Sequence, residues 1–265
     1  MTNTMGALAL EFGRICSQAS LPVMEVYQTN FTPEQKADRS PVTEADTRAE
    51  KVILNALRTV CPGIPVLAEE QFAAGFCPEI NDVFLLVDPV DGTKEFIARN
   101  GEFTLNIALI RNGVPVAGCV YAPALERIYL GGESARAGAL KPGEAVTTEG
   151  LAVIETRKSP PASGAVAVMS RSHADERTRA FATAFGATEA VSAGSSLKFC
   201  RVAEGAADIY PRFAPTMEWD TGAGHAVLNG AGGTVTQPDH SPFLYGKAAE
   251  GYRNGHFIAW AVPPR

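Results

Sequence analysis

The chain has 265 residues, 46% hydrophobic and 20% charged, a balance that suits one large globular domain or two intimate ones with a sizeable core. Its formal net charge of −6 excludes a non-specific nucleic-acid binder, which needs a basic footprint to displace counterions. Cys16, Cys61, Cys77, Cys119 and Cys200 are scattered, odd in number and without a Cys-x-x-Cys pair, and no apolar run reaches the roughly 18 residues of a membrane span. Reduced thiols and a cytoplasmic protein without a transmembrane segment are therefore expected.

Residues 6–27 place Leu8, Leu10, Phe12, Ile15, Leu21 and Val23 at roughly helical spacing, and Pro22 predicts a break or kink in that helix. Beyond a polar stretch, Thr43 and Asp46 stand at capping spacing ahead of the amphipathic run 49–60, which predicts a second helix. The short apolar run Val66-Leu67-Ala68 and the pair Glu69-Glu70 come next.

Val83-Phe84-Leu85-Leu86-Val87 reads as a strand covered on both faces. Asp88-Pro89 follows at once, and because proline donates no N–H, pairing is expected to stop and the chain to turn there. Asp88 and Asp91 then present two hard oxygen ligands at the end of a rigid element, a pairing that suits Mg²⁺ better than softer metals. If Thr93-Lys94-Glu95-Phe96 opens a short helix, the N–H groups of Gly92 and Thr93 form a seat for a metal-bound phosphate. The competing reading is a solvent-exposed Asp-Pro-x-Asp-Gly turn with no ligand. The acid spacing of a calcium-binding EF-hand is absent.

From 103 to 153, short runs such as Leu105-Asn106-Ile107-Ala108-Leu109-Ile110, separated by Asn112-Gly113 and similar turns, predict an antiparallel meander. Residues 158–164, with paired prolines and small polar residues, resist regular structure, which places a domain boundary between 1–157 and 158–265. Behind it, a strand over 165–169, helices over 175–185 and 195–204, and a strand at Asp208-Ile209-Tyr210 predict alternating α/β structure.

Two aspartates rarely hold a catalytic metal alone, and three further acids are candidates: Asp46, Glu69 and Asp220. Each has an ordinary alternative. Asp46 can cap its helix with Thr43, Glu69 and Glu70 can form a solvated loop, and Asp220 can cap a helix beginning near Thr221. Gly222 and Gly224 do not make a dinucleotide fingerprint, because Val227 stands where a third glycine is needed.

Together, Asp88-Pro89-Val90-Asp91-Gly92-Thr93, the pair Glu69-Glu70, and Trp219-Asp220-Thr221-Gly222-Ala223-Gly224 resemble the motifs of the lithium-sensitive, Mg²⁺-dependent inositol monophosphatase superfamily. Within it, Lys94-Glu95-Phe96-Ile97, Ser170-Arg171-Ser172-His173-Ala174-Asp175 and Gly194-Ser195-Ser196-Leu197-Lys198-Phe199-Cys200 are similar to the CysQ-type branch of 3'(2'),5'-bisphosphate nucleotidases. Inositol monophosphatases carry an acid seven residues before the Trp-Asp aspartate, where this chain has Phe213; a phenyl ring cannot accept hydrogen bonds from inositol but can line a base pocket.

The resemblance implies a layered αβαβα sandwich of the sugar-phosphatase type, mixed α+β and α/β in class. It implies two or three Mg²⁺ held by Glu69, Asp88, Asp91, Asp220 and the carbonyl of Val90. Glu69 and Thr93 would orient the attacking water, with Asp46 supporting Thr93, while Gly92 and Thr93 hold the phosphate. In the C-terminal region Arg171, Ser172, His173, Ser195, Ser196, Lys198 and Phe213 would bind the second phosphate and the nucleoside of a small nucleotide bisphosphate. For Arg171 and Lys198 a solvated surface cation, and for His173 an ordinary helix start, are the alternatives. Hydrolysis of adenosine 3',5'-bisphosphate to AMP and phosphate is the expected activity. Its sulfated analogue is a further substrate, inositol monophosphatase activity the alternative, and a non-catalytic nucleotide or metal sensor the reading from another class. A monomer or homodimer, with a peripheral place on the inner face of the cell membrane, also fits the resembled family.

Overall fold

The computed structural model describes residues 4–29, 34–35, 41–42, 44–170 and 175–262. Helix α1 (Met5–Gln28) forms because Leu8, Phe12, Ile15, Ala19, Val23 and Val26 fall on one buried stripe. Its first N–H groups are satisfied by the Thr4 hydroxyl and by the Glu133 carboxylate, which accepts from Met5 N at 2.7 Å and Gly6 N at 2.6 Å. The expected break at Pro22 is absent and the helix runs through it. Gln18, whose carbonyl loses its donor, is exposed, so water can take the place of the missing bond.

The hairpin β1 (Glu34–Gln35) and β2 (Pro41–Val42) leads into α2 (Glu44–Val60), which buries Ala45, Ala49, Ile53 and Leu57 at helical spacing. Thr43, its expected cap, lies outside the described residues. Next come β3 (Val66–Ala68), α3 (Glu69–Ala73), β4 (Val83–Asp91), α4 (Thr93–Ile97), β5 (Thr104–Arg111), β6 (Val114–Ala122), β7 (Arg127–Gly131), β8 (Ala135–Ala139) and β9 (Ala152–Ile154).

These strands form a seven-stranded sheet in sequence order, β3 parallel to β4 and every other pair antiparallel, so the expected meander is present. Strand periodicity divides the sheet's two faces. Leu85, Val87, Ile107, Leu109, Cys119 and Tyr121 pack toward α1 and α2, whereas Leu86, Ala108, Ile110 and Val120 belong to a second core on the other side.

β4 corrects the sequence reading, since the strand does not stop at Asp88-Pro89. Three residues advance on β4 between Asp88 and Asp91 while two advance on β5 between Asn106 and Thr104, which is a β-bulge. Pro89 is tolerated because a bulge needs no ladder donor from it. The turn comes later, at Gly92, whose φ of 89° is open to glycine at little cost.

Beyond the irregular stretch 158–164 the chain forms β10 (Ala165–Ser170), α5 (Glu176–Ala184), β11 (Ala187–Ala193), α6 (Leu197–Ala203) and β12 (Ile209–Arg212). β13 (Thr216–Met217), α7 (Gly222–Gly230), β14 (Thr234–Thr236), β15 (Arg253–Asn254) and β16 (Phe257–Trp260) complete it. A five-stranded mixed sheet has the order β11-β10-β12-β16-β14, with β10 parallel to both neighbours and β16 antiparallel to both of its own.

Helices α6 and α7 lie between the two sheets, α1 and α2 cover the outer face of the first, and α5 covers the second through Ala182, Ile209, Ile258 and Trp260. The layers therefore run α-β-α-β-α, as the resemblance implied. α7 sits so near the first sheet that a Cβ on Gly131 would fall 2.4 Å from the Ala226 backbone, and one on its cross-strand partner Gly118 would fall 2.8 Å from the Ala226 side chain. Among the described residues no helix is long and apolar enough to cross a membrane, and the cysteines are all free, Cys77 alone being exposed.

Candidate active site

The bulge in β4 aims the acids. Asp88 is buried, and its Oδ1 accepts from Val90 N at 3.1 Å, folding the carboxylate back over Pro89. The Thr93 hydroxyl donates to the Val90 carbonyl at 3.4 Å, tying the start of α4 to the same strand end. Glu69 reaches this place because β3 pairs in parallel with β4, Ala68 opposite Val87, and Glu69 is the next residue, the first of α3. The buried Glu50 of α2 fixes that helix end by accepting from Glu70 N at 2.8 Å and Gln71 N at 3.0 Å.

From the other half, Asp220 precedes α7. It does not cap that helix: its Oδ2 accepts from Met217 N at 2.8 Å and closes the turn ahead of it.

These elements enclose a cavity of about 300 Å³. Glu69, Asp88, Val90, Asp91, Gly92, Thr93 and Asp220 all line it, and Lys198, Arg212, Ser195 and Tyr210 line it from the second half. The Lys198 ammonium donates to Ser195 O at 2.6 Å and Ala193 O at 3.4 Å and stands 5.6 Å from the Tyr210 ring centroid. Arg212 donates from Nε to Ala214 O at 3.1 Å and from Nη2 to Pro215 O at 3.4 Å, shaping the loop beside the cavity.

Burial pushes Asp91 up to about 6, an effect the Lys198 charge and hydrogen bonds from Ser196 partly offset and Glu95 reinforces. Burial also pushes Asp220 well above the usual carboxylate range, and the neighbouring charges of Asp91 and Glu69 add to it. Lys198 is held down at about 8, chiefly by burial, with Asp91 opposing and Arg212 adding to the shift.

The donor set fits a hard divalent cation: all the acidic groups offer oxygen, and their mutual repulsion in a dry site is what such a cation relieves. Among the described residues no three acids are already gathered at ligating distance, so the carboxylates ring the cavity rather than form a closed cage. That arrangement suits Mg²⁺, which keeps positions for water and phosphate oxygens.

Other expected positions fall differently. Ser196 does not line the cavity; it is buried, and its N and Oγ are both spent on protein acceptors. Phe213 does not line it either. Its ring packs 5.6 Å from Phe181 and 5.5 Å from His256, with the Arg177 guanidinium 4.4 Å from its centroid. Strand alternation accounts for this, because Tyr210 and Arg212 face the cavity and Phe213 is an odd step away. Asp46 is buried in the first turn of α2 and is not among the residues that line the cavity. Arg171, Ser172 and His173 lie outside the described residues.

Arg212 and Asn106 were not anticipated. For Arg212 a signal existed, since extending the Asp208-Ile209-Tyr210 strand by two residues puts it on the face of Tyr210.

The inositol monophosphatase family model matches residues 11–260. The 3'(2'),5'-bisphosphate nucleotidase CysQ of Escherichia coli is 44% identical over 234 residues, covering 88% of this chain and 91% of that protein. CysQ of Salmonella typhimurium is 46% identical over 224 residues, covering 84% and 87%. Among solved structures, CysQ from Bacteroides thetaiotaomicron superimposes with a TM-score of 0.81 at 36% identity, covering 98% of both chains. Inositol monophosphatase from Anabaena shares the fold, with a TM-score of 0.71 at 22% identity and coverage of 99% and 93%. By its motifs, its layered fold and these likenesses, the chain belongs to the inositol monophosphatase family.

Proposed function

We propose that the protein is a Mg²⁺-dependent phosphomonoesterase that hydrolyses the 3'-phosphate of adenosine 3',5'-bisphosphate to AMP and inorganic phosphate. The observation that carries the reading is one cavity with Glu69, Asp88 and Asp91 lining it from the first half and two cations, Lys198 and Arg212, lining it beside Asp220 from the second. Such a division suits a substrate with two phosphates, one to be cleaved and one to be held. The relatives named CysQ, at 44% and 46% identity, favour the same substrate over inositol phosphates.

Glu69, Asp88, Asp91, Asp220 and the Val90 carbonyl would hold two or three Mg²⁺, which when bound supply Lewis acidity to the phosphate oxygens and to a water. Glu69 and the Thr93 hydroxyl orient that water for in-line attack on phosphorus, and Asp46 supports Thr93 from behind. The phosphorus–oxygen bond to the ribose breaks, the ribose oxygen takes a proton, and no covalent phosphoenzyme forms. The N–H groups of Gly92 and Thr93 hold the phosphate as charge shifts onto its oxygens. Lys198 and Arg212 pair with the 5'-phosphate, and Arg171, Ser172 and His173 would supply donors to the nucleoside, as in the resembled family.

The test is phosphate release by the purified protein with Mg²⁺. Adenosine 3',5'-bisphosphate is expected to yield AMP and phosphate with kcat/KM of at least about 10⁴ M⁻¹s⁻¹. A protein that leaves this compound intact while cleaving inositol 1-phosphate rapidly overturns the reading.

A further inference from the structure

We infer that Asn106 and Ser196 are positioning residues that join Asp91 to Asp220 across the two halves of the molecule and so set the spacing of the two carboxylates for a cation. The inference rests on the reading of these acids as a Mg²⁺ site.

Four elements meet here. Asn106 is on β5, Ser196 immediately precedes α6, Asp91 ends β4, and Asp220 leads into α7. Asn106 is buried, and its Nδ2 donates to Asp91 Oδ2 at 3.3 Å and to Ser196 Oγ at 3.1 Å. The Ser196 hydroxyl donates to the Asp220 backbone carbonyl at 2.8 Å, and Ser196 N donates to Asp91 Oδ2 at 2.6 Å.

The donors run in one direction, from amide to hydroxyl to carbonyl, so each group can satisfy the next without competition. Two of them converge on the same oxygen of Asp91. That fixes the rotation of the carboxylate and leaves Oδ1 as the oxygen for a cation.

The turn that carries Ser196 is itself pinned to β5 and its approach. Gly194 N donates to Glu102 Oε2 at 2.9 Å, and the Ser195 hydroxyl donates to Glu102 O at 2.9 Å. Ser195 has φ of 40°, and a Cβ on Gly194 would lie 2.7 Å from Glu102 O. The turn is thus pressed against the first sheet more closely than an ordinary residue at 194 would allow. Neither Asn106 nor Ser196 lines the cavity, so any effect of theirs on catalysis must travel through the acids.

The experiment is calorimetric titration of Mg²⁺ into metal-stripped parent, Ser196→Ala and Asn106→Leu proteins, with thermal melting to establish folding and steady-state kinetics at two Mg²⁺ concentrations. Loss of either link is expected to weaken Mg²⁺ binding by about 10- to 100-fold, the range for groups that orient metal ligands. Excess Mg²⁺ should restore kcat to within a few-fold while KM for adenosine 3',5'-bisphosphate stays near the parent value. The double variant should lose less than the product of the two single losses, because both break one connected set.

A folded variant that binds Mg²⁺ as tightly as the parent overturns the proposal. So does one whose defect is a raised substrate KM that Mg²⁺ does not correct. If Asn106→Leu fails to fold, Ser196→Ala, which removes one oxygen and keeps the backbone donor, decides alone. A parent that takes up no Mg²⁺ overturns the metal reading itself, a result distinct from equal binding by parent and variants.

Discussion

The two walls of the cavity are built on different principles. The acidic wall comes from β3, β4 and the short helices behind them, where Asp88 and Asp91 stand on one continuous strand and Glu69 on its parallel neighbour. The cationic wall comes from the second half, from α6 and β12, where Lys198 and Arg212 belong to separate elements and satisfy themselves on backbone carbonyls of nearby loops, and it also carries Asp220 ahead of α7. One wall is a rigid row of charge fixed by strand register; the other is a pair of long side chains steered by loop geometry. Under the proposed function, bond breaking would belong to the first wall and choice of molecule to the cations of the second, since reacting atoms tolerate less displacement than a bound second phosphate does.

Substitutions can break that division. The largest effect is expected for Asp91→Asn, which should lower turnover at least about 10³-fold for every phosphomonoester tested, because it removes a carboxylate that would hold Mg²⁺ at the reacting phosphate rather than a contact to the rest of the substrate. A variant that loses only the bisphosphate activity would place selection on the acidic wall and contradict the comparison.

Next in size, Lys198→Met and Arg212→Met should each lower kcat/KM for adenosine 3',5'-bisphosphate by about 10- to 100-fold, the loss of one charge-assisted hydrogen bond. Hydrolysis of 3'-AMP, which lacks the second phosphate, should change little. Equal losses on both substrates would mean that the cations act at the reacting phosphate.

A third prediction concerns stability and α7, one of the helices between the two sheets. His225 on α7 is buried, its Nδ1 is 3.1 Å from the Tyr245 hydroxyl, and burial, aided by the charge of Lys247, holds it down at about 3. Because its folded value lies below the unfolded one, its contribution is complete above pH 6.5 and is lost as the pH falls toward 3. The loss is about 1.4 kcal/mol per pH unit over that window. Urea midpoints at pH 7, 5 and 4 should therefore fall more steeply for the parent than for His225→Asn. Parallel curves would rule out His225 as an acid trigger for the shared layer.

Much of the acidic wall was legible in the sequence because its signals are local. An apolar run, two aspartates and a glycine fall within eleven residues; strand period plus ligand chemistry point to a metal site, and the family resemblance sets aside the bare-turn alternative. The course of β4 through Pro89 was not, since a bulge depends on the partner strand as much as on the proline. Helix α1 passing through Pro22 is similar: tertiary burial of one stripe outweighs one missing hydrogen bond. The second sheet was half legible. β11 is exposed along most of its length and breaks its apolar residues with Thr188, Glu189 and Ser192, and β14 and β16 are short strands that pair with each other antiparallel from opposite sides of a long connection, so no local pattern marks them. Ser196 shows the limit most clearly. The family resemblance implied a substrate donor there, whereas the structure, with a left-handed turn at Ser195, buries its hydroxyl against the Asp220 carbonyl.

The paired glycines under α7 carry one more consequence. Gly118 and Gly131 face each other on β6 and β7, far in sequence from the acids that line the cavity, and the helix rests directly on them. A seat made of missing side chains has no rotamer with which to adjust. A methyl at 131 would have to open a 2.4 Å approach to ordinary contact, lifting the helix by roughly 1 Å. Asp220 rides at the head of that helix, and a shift of about 1 Å at a reacting centre is worth on the order of 10² in rate. The distance between the acids of one sheet and the acid of the other half is thus gauged by two hydrogen atoms on strands that carry no chemistry of their own.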